Sequence, residues 1–149
     1  MTVQVVKDPG KIHELLLKFD DVLPHLKEKV SDYGTFSEKL AKYANVLCAV
    51  DSEEICGFVV FYANDEVTHT AFITLLACAR GHQGRGLGRY LMEQACGQAF
   101  LSGMTKMRLE VDLDNTGAIA FYTKLGFVQA GEKMPCSMYM EKHLSLNRA

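Results

Sequence analysis

The sequence predicts one α/β (α+β) domain: a mixed, mostly antiparallel twisted sheet with a single parallel strand pair and helices on both faces. Three observations predict it. Three β-rich runs follow one another through short polar turns, which makes them antiparallel neighbours. Further on, an apolar run leads through a glycine-rich turn into a long amphipathic segment and another β-rich run, the pattern of a right-handed crossover between parallel strands. The chain has 149 residues, 48% of them hydrophobic and 23% charged, which suits a single domain over residues 1–149.

Val3–Val6 reads as a short strand. Asp8-Pro9-Gly10 ends it, and Pro9 suits the first turn of a helix. Ile12, Leu15, Leu16 and Phe19 recur at helical spacing, predicting an amphipathic helix over Lys11–Asp20, which Pro24 follows as an interruption. A second helix is expected over Ser37–Ala44, with Ser37 as its cap and Leu40, Ala41 and Ala44 inward. Val46–Asp51 and Ile55–Ala63 flank Ser52-Glu53-Glu54 as a hairpin, and Asn64-Asp65-Glu66 turns the chain into a third strand, Val67–Cys78. Leu87–Leu101 sets Leu87, Tyr90, Leu91, Ala95 and Ala99 on one helical face, and Gly103 suits its C-terminal stop. Lys106–Leu113 is a strand and Asn115–Leu125 a helix ended by Gly126. Phe127–Gln129 and Cys136–Lys142 are the last strands, split by Gly131 to Pro135.

The net charge is −2, with no block of like charge. A general nucleic-acid binder needs a basic face, so no nucleic-acid partner is expected. The longest apolar stretch, Ala71–Ala79, is too short to cross a bilayer, so no membrane partner is expected either. The five cysteines, at 48, 56, 78, 96 and 136, show no metal-ligand spacing. Their odd number, and an N-terminus without the apolar core of a signal peptide, predict a reducing cytoplasmic setting.

The chemistry points to Arg80-Gly81-His82-Gln83-Gly84-Arg85-Gly86-Leu87-Gly88-Arg89. Strand, glycine-rich turn and helix together make a phosphate-binding layout. Glycines let the backbone approach an anion, and the orphan N–H groups of a helix's first turn face it along the helix dipole. A P-loop would need GxxxxGK[ST], which is absent. A dinucleotide fingerprint would need GxGxxG, whereas Gly86-Leu87-Gly88-Arg89-Tyr90-Leu91 ends in leucine. A turn without a ligand would place four glycines in eight residues with no return in packing.

Gln83-Gly84-Arg85-Gly86-Leu87-Gly88 resembles the Q/R-x-x-G-x-G/A signature of the GNAT superfamily of acyl-CoA-dependent N-acetyltransferases. Asn115 to Phe127, with Ala118, Phe121-Tyr122 and Leu125-Gly126-Phe127, is similar to that superfamily's N…A…FY..LGF segment, in the right order and at the right separation. Arg80 stands where a proline is frequent and His82 where an aromatic residue is frequent. The resemblance implies acetyl-CoA as acyl donor and a bulged strand that splays from its parallel neighbour. In the gap, the cofactor's pantetheine arm would pair like an added strand with the backbone near Ala77, Cys78 and Ala79. It implies that the amides of Gln83, Gly84, Arg85, Gly86, Leu87, Gly88 and Arg89 hold the pyrophosphate, and that Asn115 and Phe121 lie at the cofactor. Asn115 is equally a helix N-cap by position.

The resemblance also makes Tyr122 the general acid beside the cofactor sulfur, although Ala118, Tyr122 and Leu125 form a stripe that packing alone would explain. The strand Lys106–Leu113 alternates: Arg108, Glu110 and Asp112 on one face, Met107, Leu109, Val111 and Leu113 on the other. A strand interior to the sheet is expected to be apolar throughout, so a polar face suggests a wet cleft. Glu110 is the leading candidate base, followed by His69 and Glu66; a solvated, salt-bridged face is the alternative. Acceptor contacts are expected from Ser31–Phe36, Asn64–His69 and Gly131–Pro135, with Tyr33, Phe36 and Asp112 around a small amine. Three functions share these features: acetylation of a small-molecule primary amine, acetylation of protein lysines or N-termini, and binding of CoA without turnover. A nucleotide oxidoreductase is a fourth, distinguished by NAD(P)H binding. A homodimer is compatible with all of them.

Overall fold

The computed structural model describes residues 1–23 and 25–145. The strands are β1 (Thr2–Val5), β2 (Asn45–Asp51), β3 (Glu54–Tyr62), β4 (Thr70–Cys78), β5 (Lys106–Asp112), β6 (Val128–Ala130) and β7 (Ser137–His143). The α-helices are α1 (Pro9–Lys18), α2 (Leu26–Lys29), α3 (Tyr33–Tyr43), α4 (Leu87–Leu101) and α5 (Thr116–Lys124). The strands form one sheet in the order β1-β2-β3-β4-β5-β7-β6. Every pairing is antiparallel except β4 with β5. Among the described residues, no helix is long and apolar enough to cross a membrane.

Alternation along the central strands creates two cores. In β2, Leu47 and Ala49 join the core under α4, while Val46 and Cys48 join the core under α1 and α3. The α4 stripe of Leu87, Leu91, Met92, Ala95 and Ala99 is buried in the first core, and Ile12, Leu15, Leu16 and Leu40 are buried in the second. Full burial of each such leucine or isoleucine is worth about 1.5–3 kcal/mol. Gly57 of β3 lets α4 sit close: a Cβ there would lie 2.7 Å from the Ala77 carbonyl oxygen and 3.1 Å from the Leu87 and Leu91 side chains.

Several local expectations are corrected. Ser37 is not a cap. It is buried inside α3 and donates its hydroxyl to the Tyr33 carbonyl (2.6 Å), while Asp32 caps the helix by accepting from the Gly34 and Thr35 amides. An aspartate carboxylate aimed at free amides nucleates the helix a full turn earlier than the apolar spacing indicated. The third strand begins at Thr70 rather than Val67, because Asp65 accepts from the Val67 and Thr68 amides and holds those residues in a turn. The short α2 was not predicted, and Pro24, expected to interrupt there, lies outside the described residues. The hairpin of β2 and β3 turns on Ser52 (φ 52°) and Glu53 (φ 66°), two non-glycine residues in left-handed conformations. The α4 terminus follows expectation: Gly103 (φ 95°) lets its own amide bond Phe100 O and the Met104 amide bond Ala99 O, both at 3.0 Å.

One feature of the sheet places the site. β4 stays paired with β3 as far as Cys78, opposite Gly57, but pairs with β5 only over Thr70, Ala71 and Phe72. The register against β3 shifts between Val60 and Phe61, which face Leu75 and Ile73, so Thr74 is the extra residue of a bulge. A bulge bends its strand and strengthens the local twist. β4 therefore diverges from β5, and its edge from Ile73 to Cys78 has no strand partner on that side.

Candidate active site

At the open end of β4 the chain makes a 3₁₀ turn, Arg80–His82, and then enters α4 through Gly84 (φ 77°) and Gly86 (φ 83°). Other residues adopt such angles only at a cost, which explains glycine at both positions. A Cβ at either would meet nothing within 4 Å, so both backbones face open space. Among the described residues, no main-chain amide from Gln83 to Arg89 makes a well-formed hydrogen bond; the Tyr90 amide, bonded to Gly86 O at 3.0 Å, is the first that does. No side chain caps α4. A run of unpaired N–H groups at the positive end of a fifteen-residue helix is an anion-binding surface.

Two of the side chains around this turn are bonded within the protein. Gln83 donates its side-chain amide to Cys78 O (3.1 Å), bracing the turn against the strand. Arg89 pairs with Glu93 one helical turn on, at 3.1 Å. Leu87 is buried in the core, leaving only its backbone for the turn. Arg85 is exposed and lines a small hollow of about 260 Å³ with His82 and Tyr90. The main chain of Ala79 is already engaged, its amide with Cys56 O (2.8 Å) and its carbonyl with the His82 amide (2.9 Å).

Beside the unpaired edge of β4, α4 and α5 come together against the strand. A Cβ at Gly88 would lie 3.2 Å from the Phe121 ring and 3.8 Å from Cys78 Sγ, so glycine there brings strand and both helices to one point. Tyr122 is half-buried, edge-on to Phe121 (5.2 Å between centroids) and Phe127 (5.8 Å). Burial raises its phenol above the ordinary value, and the Cys78 thiol beside it acts in the same direction. Burial likewise pushes the Cys78 thiol up to about 11. Asn115 caps α5, accepting from the Ala118 amide at 3.1 Å.

On the opposite side of the splay lies a cavity of about 350 Å³. Its floor is β4 from Phe72 to Leu75 together with Glu110; its far wall comes from the α1–α3 connection and Phe36 of α3. The polar face expected on β5 is present: Met107, Leu109 and Val111 are core residues, while Glu110 opens into this cavity. Arg108 bears out the salt-bridge alternative, bound to Glu141 and stacked 4.1 Å over the Tyr139 ring. Glu110 has no cationic partner among the described residues and instead accepts from the Ser137 hydroxyl at 2.7 Å.

Ser137 escaped the sequence reading. It is 7% exposed and is brought to Glu110 by the β5–β7 register, in which Asp112 faces Ser137. Its only sequence signal was a hydroxyl among apolar strand residues. His69 and Glu66 are not in the cavity: His69, in a left-handed turn (φ 54°), precedes the end of β4 where β5 is still paired. Tyr33 and Asp112 do not line it, but Tyr33 holds its wall. The Tyr33 hydroxyl donates to Asp20 (2.7 Å), which also pairs with Lys27 (2.9 Å). Burial and that carboxylate push the Tyr33 phenol up to about 12.

Comparison with known proteins agrees with this fold. The sequence profile described as the acetyltransferase (GNAT) family matches residues 12–127. Mycothiol acetyltransferase of Jonesia denitrificans is 32% identical over 98 residues, 66% of this chain and 28% of that protein. The [ribosomal protein bS18]-alanine N-acetyltransferase of Salmonella typhimurium is 30% identical over 100 residues, 67% of this chain and 65% of that protein. The chain thus spans less than two thirds of either relative. The structure of PaiA N-acetyltransferase from Thermoplasma acidophilum in complex with coenzyme A superposes with a TM-score of 0.73 at 18% identity, over 96% of this chain and 99% of that one. At that identity the likeness concerns the fold.

Proposed function

The chain belongs to the acetyltransferase (GNAT) family, and on that premise we propose that it transfers the acetyl group of acetyl-CoA to a primary amine of a small molecule. One observation carries the reading: the unpaired edge of β4 leads through one short turn to seven consecutive amides, Gln83 to Arg89, that make no well-formed hydrogen bond among the described residues. An extended pantetheine arm suits the first, and a diphosphate suits the second. Gly84, Gly86 and the backbone of Leu87, Gly88 and Arg89 hold the anion, and Ala77 and Cys78 flank the arm. Phe121 and Asn115 stand on the helix that closes the cleft.

The acceptor amine enters from the Glu110 side of the splay. An alkylammonium of pKa ~10.4 is only about one part in 10³ neutral at pH 7, a cost of about 4–5 kcal/mol. Glu110 attracts the ammonium and takes its proton, directly or through water. The amine nitrogen then attacks the thioester carbonyl. The C–N bond forms, the C–S bond breaks, and the sulfur leaves with the electron pair. A strand amide near Ala77–Cys78 stabilises the oxyanion. Full proton transfer from an ordinary phenol to a thiolate of pKa ~8.5 is uphill by about 2 kcal/mol, and burial makes Tyr122 a weaker acid still. Tyr122 therefore acts chiefly as a hydrogen-bond donor to the departing sulfur, with transfer late in the step.

The test pairs a binding titration with a thiol-release assay. Acetyl-CoA raises the melting temperature and NAD does not. Glu110→Gln lowers kcat/KM for the amine about 100-fold while leaving acetyl-CoA affinity intact. An acetyl-CoA complex that releases no thiol with any amine would instead mark a binding domain. A second reading, acetylation of protein N-termini, is favoured by the Salmonella relative named for that activity; a peptide acceptor outcompeting all small amines would establish it.

A further inference from the structure

The acceptor cavity has its charges arranged in one way. Among the described residues Glu110 is the single acid that lines it. Its carboxylate is fixed by the buried Ser137 hydroxyl. Around Glu110 the walls are mostly apolar, with Leu23, Leu26, Val30, Phe36, Phe72 and Leu75 giving hydrocarbon or ring surface and Thr74 the one uncharged polar residue among the described lining. The side chains that carry positive charge, Lys29 and, when protonated, His25, belong to α2 and the residue before it. Lys29 has no carboxylate partner among the described residues, whereas His25 faces Glu28 at 3.5 Å.

Each acceptor chemistry meets this cavity differently. A polyamine brings two or more ammonium groups: one would find Glu110, and the next would meet hydrocarbon or Lys29, an uncompensated desolvation and a like-charge contact. An amino sugar would strip water from several hydroxyls against walls with few partners for them. An amine with one ammonium and an apolar remainder satisfies Glu110 and gains from burying its body. We infer that the acceptor is a monoamine carried on an apolar body, of the aryl- or branched-alkyl-amine class, with Glu110 receiving its ammonium and Phe36, Phe72 and Leu26 receiving its body. The inference rests on the function proposed above and names the substrate of that site.

The experiment is a thiol-release panel with the full chain at saturating acetyl-CoA, comparing 2-phenylethylamine, 3-methylbutylamine, spermidine, glucosamine and a peptide with N-terminal alanine. The first two exceed the others in kcat/KM by about 10-fold or more, the discrimination that a few buried carbons supply. Phe36→Ala lowers the value for 2-phenylethylamine about 10-fold, mainly through KM, and lowers that for glucosamine by a smaller factor. Lys29→Glu, which reverses a charge in the cavity lining, raises spermidine turnover several-fold more than that of 2-phenylethylamine. Preference for spermidine, glucosamine or the peptide, equal turnover of all five, or insensitivity to both substitutions overturns the inference while the acetyltransferase reading stands. Acetyl-CoA binding with no thiol released from any acceptor overturns both, and is recognised by that combination.

Discussion

The two ends of the cleft are built by different means. At the α4 end the working groups are backbone amides, seven in a row, offered by one continuous stretch of ten residues in which glycines take angles other residues avoid. At the Glu110 end the working groups are side chains from β4, β5, β7 and the α1–α3 connection, brought together only by folding. The contrast teaches that a backbone site is robust to side-chain change and fragile to loss of glycine, whereas a side-chain site behaves the opposite way.

The strongest challenge to this comparison is Gly86→Val. A β-branched residue at φ 83° strains the turn and withdraws its amides, so acetyl-CoA affinity should fall about 100-fold, equivalent to about 2.7 kcal/mol. Arg85→Ala, which removes an exposed cation from the same turn, should cost only a few-fold in an isothermal titration. Equal losses in the two variants would mean that side chains, not amides, hold the anion.

Next in size is Tyr122→Phe, expected to lower kcat by about 30–100-fold with unchanged acetyl-CoA affinity. Because burial raises the Tyr122 phenol, it stays protonated through neutral and mildly alkaline pH. Loss of kcat from its ionisation should therefore have its midpoint above the ordinary phenol value of about pH 10. The same shift favours the fold below that pH and withdraws the contribution as pH rises through the folded-state value. A Tyr122-dependent alkaline limb near pH 8 would contradict this placement.

Ser137→Ala should lower kcat/KM about 10-fold, as expected for a hydrogen bond to a charged group, with Ser137→Thr restoring part of it. In a Glu110→Gln background the loss should shrink to near nothing; a merely structural serine would give additive losses. The smallest effect is expected at the exposed pair of Arg80 Nε and Asp21 (2.9 Å), which ties the glycine turn to the cavity wall. Asp21→Asn should change stability by about 1 kcal/mol or less in a urea melt.

Much of the α4 end was legible in the sequence because its information is local. Positive φ angles select glycine, orphan amides follow from where a helix begins, and Leu87–Leu101 carried its own periodicity and its own stop at Gly103. The bounds of α3 were less legible, since a capping aspartate outweighed the spacing of apolar residues. The polar alternation of β5 announced a wet face. It did not announce that Arg108 would be taken by Glu141 while Glu110 was left to the Ser137 hydroxyl, a division made by the register with β7.

By itself the sequence determined the order of elements, the glycine turn and the helix that follows, because those depend on torsion angles and on contacts a few residues apart. Only the tertiary structure decided that β4 parts from β5 at Phe72, that Ser137 meets Glu110, and that apolar side chains from α2 and α3 face that carboxylate. Those depend on strand register and on packing between segments far apart in the chain, which no local pattern encodes.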